Sequence, residues 1–247
     1  MRTPGILILL IMLTAPTAFC DVTVEGKRGA WTMKVDGEPF YVQGITWTSG
    51  AYDETRWRND FETMKRLQAN TVRTWGVGKD TAKLLDMADE YGIKVMLGLW
   101  LRHGRAGAED DDEFDWIHDA PGRQVQWDDT IKAVEEFKKH PALLCWGVAN
   151  EVILNIATEE EKQAYAQFLG KLTTEIKKLD PHHPIASVSA WSISWPYWRE
   201  HAPAIDIYGI NTYGYGAAAI PGEQERLGVD KPYLICEFGA TGEWETQ

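Results

Sequence analysis

The chain has 247 residues, 44% of them hydrophobic and 25% charged, a composition that suits a globular domain of ordinary make-up. Its formal net charge of −12 argues against nucleic acid and anionic membrane surfaces as partners and is compatible with a neutral ligand. Three cysteines and no Cys/His cluster at zinc-ligand spacing give neither a disulfide framework nor a metal site, so no metal and no cofactor are expected.

Residues 1–20 read as an export signal. Arg2 is the positive end, residues 5–13 form an apolar run too short to cross a bilayer, and residues 14–18 are small. Cys20 raises lipid attachment as an alternative, which Phe19 disfavours because processing wants a small residue there. No other segment reads as a membrane span, so the expected location is extracytoplasmic, periplasmic or secreted. No signal for an oligomeric state is present.

Residues 31–40 alternate around Asp36-Gly37, a hairpin turn signal, and residues 21–39 are expected to form an N-terminal β-hairpin. From there strand and helix patterns alternate. Residues 40–46 read as a strand, and Trp57, Phe61, Met64 and Leu67 as the apolar stripe of the helix that follows. Residues 71–75 are the second strand; Leu84, Leu85 and Ala88 mark its helix, ended by Gly92. Residues 94–100 are the third strand, followed by His103, which reads as a loop residue, and by the acidic run 109–113, which reads as a solvated insertion rather than a calcium loop.

Ile131, Val134 and Phe137 mark the next helix, and residues 143–150 the strand that runs into Glu151. Thr158 and Glu161 form a capping box ahead of the stripe Tyr165, Phe168, Leu169, Leu172, Ile176 and Leu179. His182 and His183 fall in a Pro-flanked turn and read as surface. Residues 185–189, 205–211 and 232–237 are the fifth, sixth and seventh strands, the last ending at Glu237.

Such alternation implies a parallel sheet covered by helices. No Gly-rich phosphate loop follows the first strand, which weakens a nucleotide-binding open sheet. Polar and aromatic residues gather instead at the carboxyl ends of the strands, where a barrel builds its site. The expected fold is α/β, a (β/α)8 TIM barrel over residues 40–247. Seven strands are counted, so the chain is expected to stop before the eighth, and Cys145 and Cys236 are expected as buried thiols for which a disulfide is open but not required.

The chemistry lies in the two strand-end glutamates. A carboxylate where a core strand meets an open face is costly to place. Two of them suit glycoside cleavage, which needs an acid/base and a nucleophile around an oxocarbenium-like transition state. Arg73 would keep one of them ionised by its charge, and Tyr213 would donate to the same group. Asn150 offers an amide to a sugar hydroxyl, and packing around Trp146 is the candidate environment favouring the protonated form of Glu151. Twelve tryptophans serve either as core or as flat platforms for sugar faces; Trp47, Trp100 and Trp191, at strand ends, are the candidate platforms.

The segments 70–75, 146–151, 209–214 and 231–239 (NTVRTW, WGVANE, GINTYG and KPYLICEFG) together resemble clan A of the retaining glycoside hydrolases, most closely the barrel domain of family two, the β-galactosidase, β-glucuronidase and β-mannosidase group. The resemblance spans about residues 34–244. It implies a secreted retaining β-glycosidase acting on a carbohydrate, with Glu151 as acid/base, Glu237 as nucleophile, and Arg73, Asn150 and Tyr213 as supporting residues. β-Glucanosyltransferases and endo-mannanases of the same clan share these motifs. A transglycosylase on the same scaffold and a non-catalytic carbohydrate-binding protein therefore stay open as alternatives.

Overall fold

The computed structural model describes residues 20–48, 50–104 and 113–240. The expected export signal, apart from Cys20, and all of the acidic run except Glu113 lie outside the described residues.

Three short strands come first: β1 (Val22–Glu25), β2 (Thr32–Val35) and β3 (Glu38–Pro39), paired antiparallel in the order β1-β2-β3. The expected hairpin is β2–β3. Its turn holds Asp36 at φ 52° and Gly37 at φ 85°, the left-handed pair that an Asp-Gly turn supplies. Residues 22–25 add a third strand beyond the expected two, in register Val22 to Val35 and Glu25 to Thr32.

Seven parallel strands follow, alternating with helices: β4 (Gly44–Thr46), α1 (Glu54–Arg66), β5 (Thr71–Arg73), α2 (Thr81–Glu90), β6 (Lys94–Leu99), α3 (Ala120–Phe137), β7 (Leu143–Asn150), α4 (Glu159–Leu179), β8 (Ile185–Ala190), α5 (Trp195–His201), β9 (Ile207–Tyr213), α6 (Ile220–Leu227) and β10 (Tyr233–Gly239). The strands hydrogen-bond in strict chain order from β4 to β10 and curl into a nearly closed barrel. All of β7 is buried, as expected where helices cover a parallel sheet. By contrast β4 and β10, the two ends of the ladder, are largely exposed. Among the described residues no strand stands between them.

Two cores result. The larger lies between strands and helices and holds Trp57, Phe61, Leu97, Trp146, Leu169, Trp195 and Trp198. The smaller fills the barrel interior with Met96, Leu144, Cys145, Ala186, Val188, Ile207 and Cys236, and Val22 and Cys20 plug it from below. β1 is tied there by the Val22 N–H, which donates to the His182 carbonyl at 2.9 Å, so the small sheet covers the end at which the strands begin. Cys20, Cys145 and Cys236 are all free, and burial pushes the thiols of Cys145 and Cys236 up. Gly170, in the middle of α4, allows α5 to close on it: a Cβ there would stand 1.9 Å from the His201 carbonyl oxygen.

Three local expectations change. Residues 40–43 do not join the first strand, because the Asn70 side chain takes their backbone: Asn70 Oδ1 accepts from Gln43 N at 2.8 Å and Asn70 Nδ2 donates to Tyr41 O at 2.8 Å. Leu67 is the C-cap of α1 and 68% exposed, not part of its buried stripe. At α4 half of the capping box forms. Thr158 Oγ1 accepts from Glu161 N at 3.2 Å, while the Glu161 carboxylate instead accepts from Trp116 N at 3.1 Å.

Candidate active site

At the carboxyl ends of the strands two bulges re-aim the chain. The β7–β8 register shifts between Val148 and Asn150, and the β10–β9 register shifts between Ile235 and Glu237. Bulges of this kind turn a side chain out of the pleat and into a site. The first is also strained. Ala149 at φ 65° and Glu151 at φ 53° bracket Asn150 in the left-handed region, each at a cost of about 1–3 kcal/mol for a residue with a side chain. Trp191, after β8, has φ 49°.

Arg73, the last residue of β5, is 6% exposed and sits between the two bulges. Its Nη1 donates to Glu237 Oε1 at 2.8 Å and to the Cys236 carbonyl at 3.3 Å; its Nη2 donates to Asn150 Oδ1 at 2.7 Å. The position of β5 follows from Gly98 in β6, where a Cβ would lie 2.2 Å from the Trp75 carbonyl carbon. The Arg73 guanidinium also lies over the Trp75 ring, 5.1 Å from its centre.

The two carboxylates have different partners. Glu237 accepts from the Arg73 guanidinium and, on its other oxygen, from the Tyr213 hydroxyl at 2.7 Å. Glu151 Oε1 accepts from the neutral Asn211 amide at 2.6 Å, and the same Nδ2 lies 3.2 Å from Asn150 Oδ1. One chain of contacts therefore runs Glu151, Asn211, Asn150, Arg73, Glu237, Tyr213 across β7, β9, β5 and β10. Trp146 is fully buried with its indole N–H donated to Asp180 at 2.8 Å, and Asn211 is a polar neighbour of Glu151.

Of the expected site residues, Arg73, Asn150, Glu151, Tyr213 and Glu237 are thus brought together. Trp100 is half-buried and stacks on the His103 ring at 5.0 Å, and the backbone N–H of Trp191 donates to Asn211 O at 3.1 Å. Trp47 stands apart in the core. It is 9% exposed, edge-on to Trp57 and Phe61, with its indole N–H donated to Asp60 at 3.0 Å.

Sequence reading missed two members of the site, Asn211 and His103, and the burial of His183 at the other end of the barrel. Asn211 was one polar strand end among many. His103, read as a loop residue, is fully buried, with Nε2 2.7 Å from the Asn150 carbonyl and Nδ1 2.8 Å from Asn155 Nδ2. His183, read as surface, is also fully buried and pairs with Asp180 at 2.8 Å beneath the barrel. Among the described residues no group of three His, Cys, Asp or Glu is arranged to hold a metal. A cavity of ≈1340 Å³ runs along the gap between β10 and β4 and reaches Arg73 and Glu237.

The chain is similar in sequence and in fold to known proteins. The chain is 25% identical over 251 residues to a β-glucuronidase of Sus scrofa, covering 92% of this chain and 34% of that protein. It is 24% identical over 246 residues to a β-galactosidase of Vibrio cholerae, covering 91% of this chain and 21% of that protein. The fold matches that of a β-D-glucuronidase from Dictyoglomus thermophilum with a TM-score of 0.65 at 24% identity, over 90% of this chain and 39% of that one. The chain thus spans about a third or less of the curated relatives' length. The family model described as the TIM barrel domain of glycosyl hydrolases family 2 matches residues 31–243, and the chain belongs to that family.

Proposed function

We propose that this chain is the catalytic barrel of an exported, retaining β-glycosidase that works by double displacement. The observation that carries the reading is the convergence of two strand-end carboxylates on one chain of contacts, Glu237 to Arg73 to Asn150 to Asn211 to Glu151. A nucleophile must be held in a fixed place, and Glu237 has a guanidinium and a phenol hydroxyl on its two oxygens. An acid/base must stand within reach of the leaving oxygen, and Glu151 follows the last residue of β7 with Asn211 Nδ2 at 2.6 Å from its carboxylate.

In the first step a Glu237 oxygen bonds to the anomeric carbon as the bond to the leaving oxygen breaks, and the Glu151 carboxyl gives that oxygen its proton. In the second, the Glu151 carboxylate takes a proton from water, the water oxygen bonds to the anomeric carbon, and the ester to Glu237 breaks. Arg73 keeps Glu237 and Asn150 in register through both steps. The substrate class proposed is a β-linked sugar of the kind named for the relatives, a β-glucuronide or a β-galactoside. Export is supported by the pattern of residues 2–18.

The test is turnover of a panel of aryl β-glycosides by wild type and Glu237→Gln, with the anomer first released read by proton NMR. Turnover with retained configuration, lost in the variant, is expected. Activity surviving in Glu237→Gln, or an inverted first product, would overturn the assignment. Sugar binding without turnover would favour a binding protein, and transfer to a sugar acceptor in place of water a transglycosylase. Recovery of the chain in the cytoplasmic fraction alone, with residues 1–18 still attached, would overturn export.

A further inference from the structure

We propose that His103 and Asn155 are positioning residues that lock the turn carrying Asn150 and Glu151, through a hydrogen bond from the His103 ring to the Asn150 carbonyl. The inference rests on the reading of Glu151 as the acid/base.

The turn needs such a lock. Two left-handed residues with side chains flank Asn150, and strain of that kind persists only where the surroundings over-determine it. The Asn150 side chain is held by Arg73 and Asn211, and the Glu151 N–H donates to Val188 O at 2.9 Å. The Asn150 carbonyl meets His103 Nε2 at 2.7 Å. His103 is itself fixed, fully buried and stacked on Trp100 with an interplanar angle of 23°.

The two ring contacts specify one tautomer. A carbonyl oxygen can only accept, so Nε2 must carry the proton. An amide nitrogen can only donate, so Nδ1 must be bare toward Asn155 Nδ2 at 2.8 Å. Asn155 ends the short 3-10 turn Val152–Asn155 that follows Glu151 directly. One imidazole therefore grips this segment twice, at its first residue through Nε2 and at its last through Nδ1, and Glu151 lies inside the closed ring. What the ring fixes is the direction in which Glu151 leaves the backbone.

Two measurements test this. The first needs no turnover. Nitrogen-15 spectra of labelled wild type should show His103 protonated at Nε2 and bare at Nδ1, and Asn155→Asp should draw a proton onto Nδ1. A wild-type ring protonated at Nδ1, or a spectrum unmoved by Asn155→Asp, would overturn the proposal. The second separates positioning from mere structure. With His103→Phe, kcat/KM on a 4-methylumbelliferyl β-glycoside, whose leaving oxygen needs a proton, should fall roughly 100-fold, as misplaced groups cost, while a 2,4-dinitrophenyl glycoside, which departs unaided, falls about fivefold or less. His103→Gln, which keeps an N–H near the Nε2 position, should restore most of the loss. Equal falls on both substrates, or no rescue by His103→Gln, would overturn it. Should wild type turn over no glycoside, the reading of Glu151 as the acid/base fails, and the tautomer alone decides whether the lock exists.

Discussion

One guanidinium joins three strands of the barrel. Arg73 donates to Asn150 on β7 and to Glu237 on β10 from its own place on β5, with contacts of 2.7 and 2.8 Å. A planar fork can hold both at once, whereas an ammonium is a point donor on a flexible stem. Arg73→Lys should therefore keep the charge and the fold but lower kcat on an aryl β-glycoside roughly 100-fold, as small misplacements do. A variant with wild-type kcat would show that the fork does not set the site. At this scale Glu151 and Glu237 were legible because each is a carboxylate where an apolar run stops, and Arg73 and Tyr213 because they stand in the segments NTVRTW and GINTYG that carry the family resemblance. Asn211 and His103 were not. An amide inside a strand and an imidazole after one are ordinary in sequence, and what makes them part of the site is the partner that the fold brings from more than forty residues away.

The same contrast holds for elements. Helices α1 to α4 were legible from stripes such as Tyr165, Leu169, Leu172 and Ile176, all buried in α4, whereas the short α5 and α6 carry no such stripe. The turn that joins α4 to β8 was not. Its Asp180 is 2% exposed and receives His183 Nδ1 at 2.8 Å, the Trp146 indole N–H at 2.8 Å and the His182 N–H at 3.1 Å. Burial pushes the Asp180 carboxyl up, but the hydrogen bond and charge of His183, the Trp146 indole and the His182 N–H outweigh it and leave the group below its ordinary value. A carboxyl depressed in the folded state contributes stability above its unfolded value, about 3.9, and loses it as pH falls through the lower folded value. Wild type should thus lose thermal stability as the pH is taken from about 5 downward, through the unfolded aspartate value near 3.9. Asp180→Asn, which removes the charge facing His183, should cost about 1.5–3 kcal/mol at neutral pH, the range for a hydrogen bond to a charged group. It should also flatten the acid limb of the melting curve. A variant as acid-sensitive as wild type would remove Asp180 from that role.

For the whole molecule, strand order was legible because seven strand–helix alternations admit few parallel topologies, and the order β4 to β10 is sequential. A count of seven strands also leaves two edges of the ladder without a neighbour, though not which side chains those edges present. Among the described residues β4 and β10 each have one ladder neighbour, and β10 presents Tyr233, Ile235 and Phe238 at 38%, 37% and 65% exposure. Unpaired backbone beside apolar side chains is a template for another strand, and a lysine on such an edge blunts it. A chain of these 247 residues should therefore associate as its concentration rises, and Ile235→Lys should shift it toward monomer in light scattering. Because Ile235 is more than a third exposed, the substitution should leave the melting temperature nearly unchanged. The two readouts together separate the causes: an edge that drives association gives monomer at constant melting temperature, while loss of both would mean that Ile235 holds the barrel itself. A wild type that stays monomeric at every concentration would show that the apolar groove between β10 and β4 is tolerated without a partner.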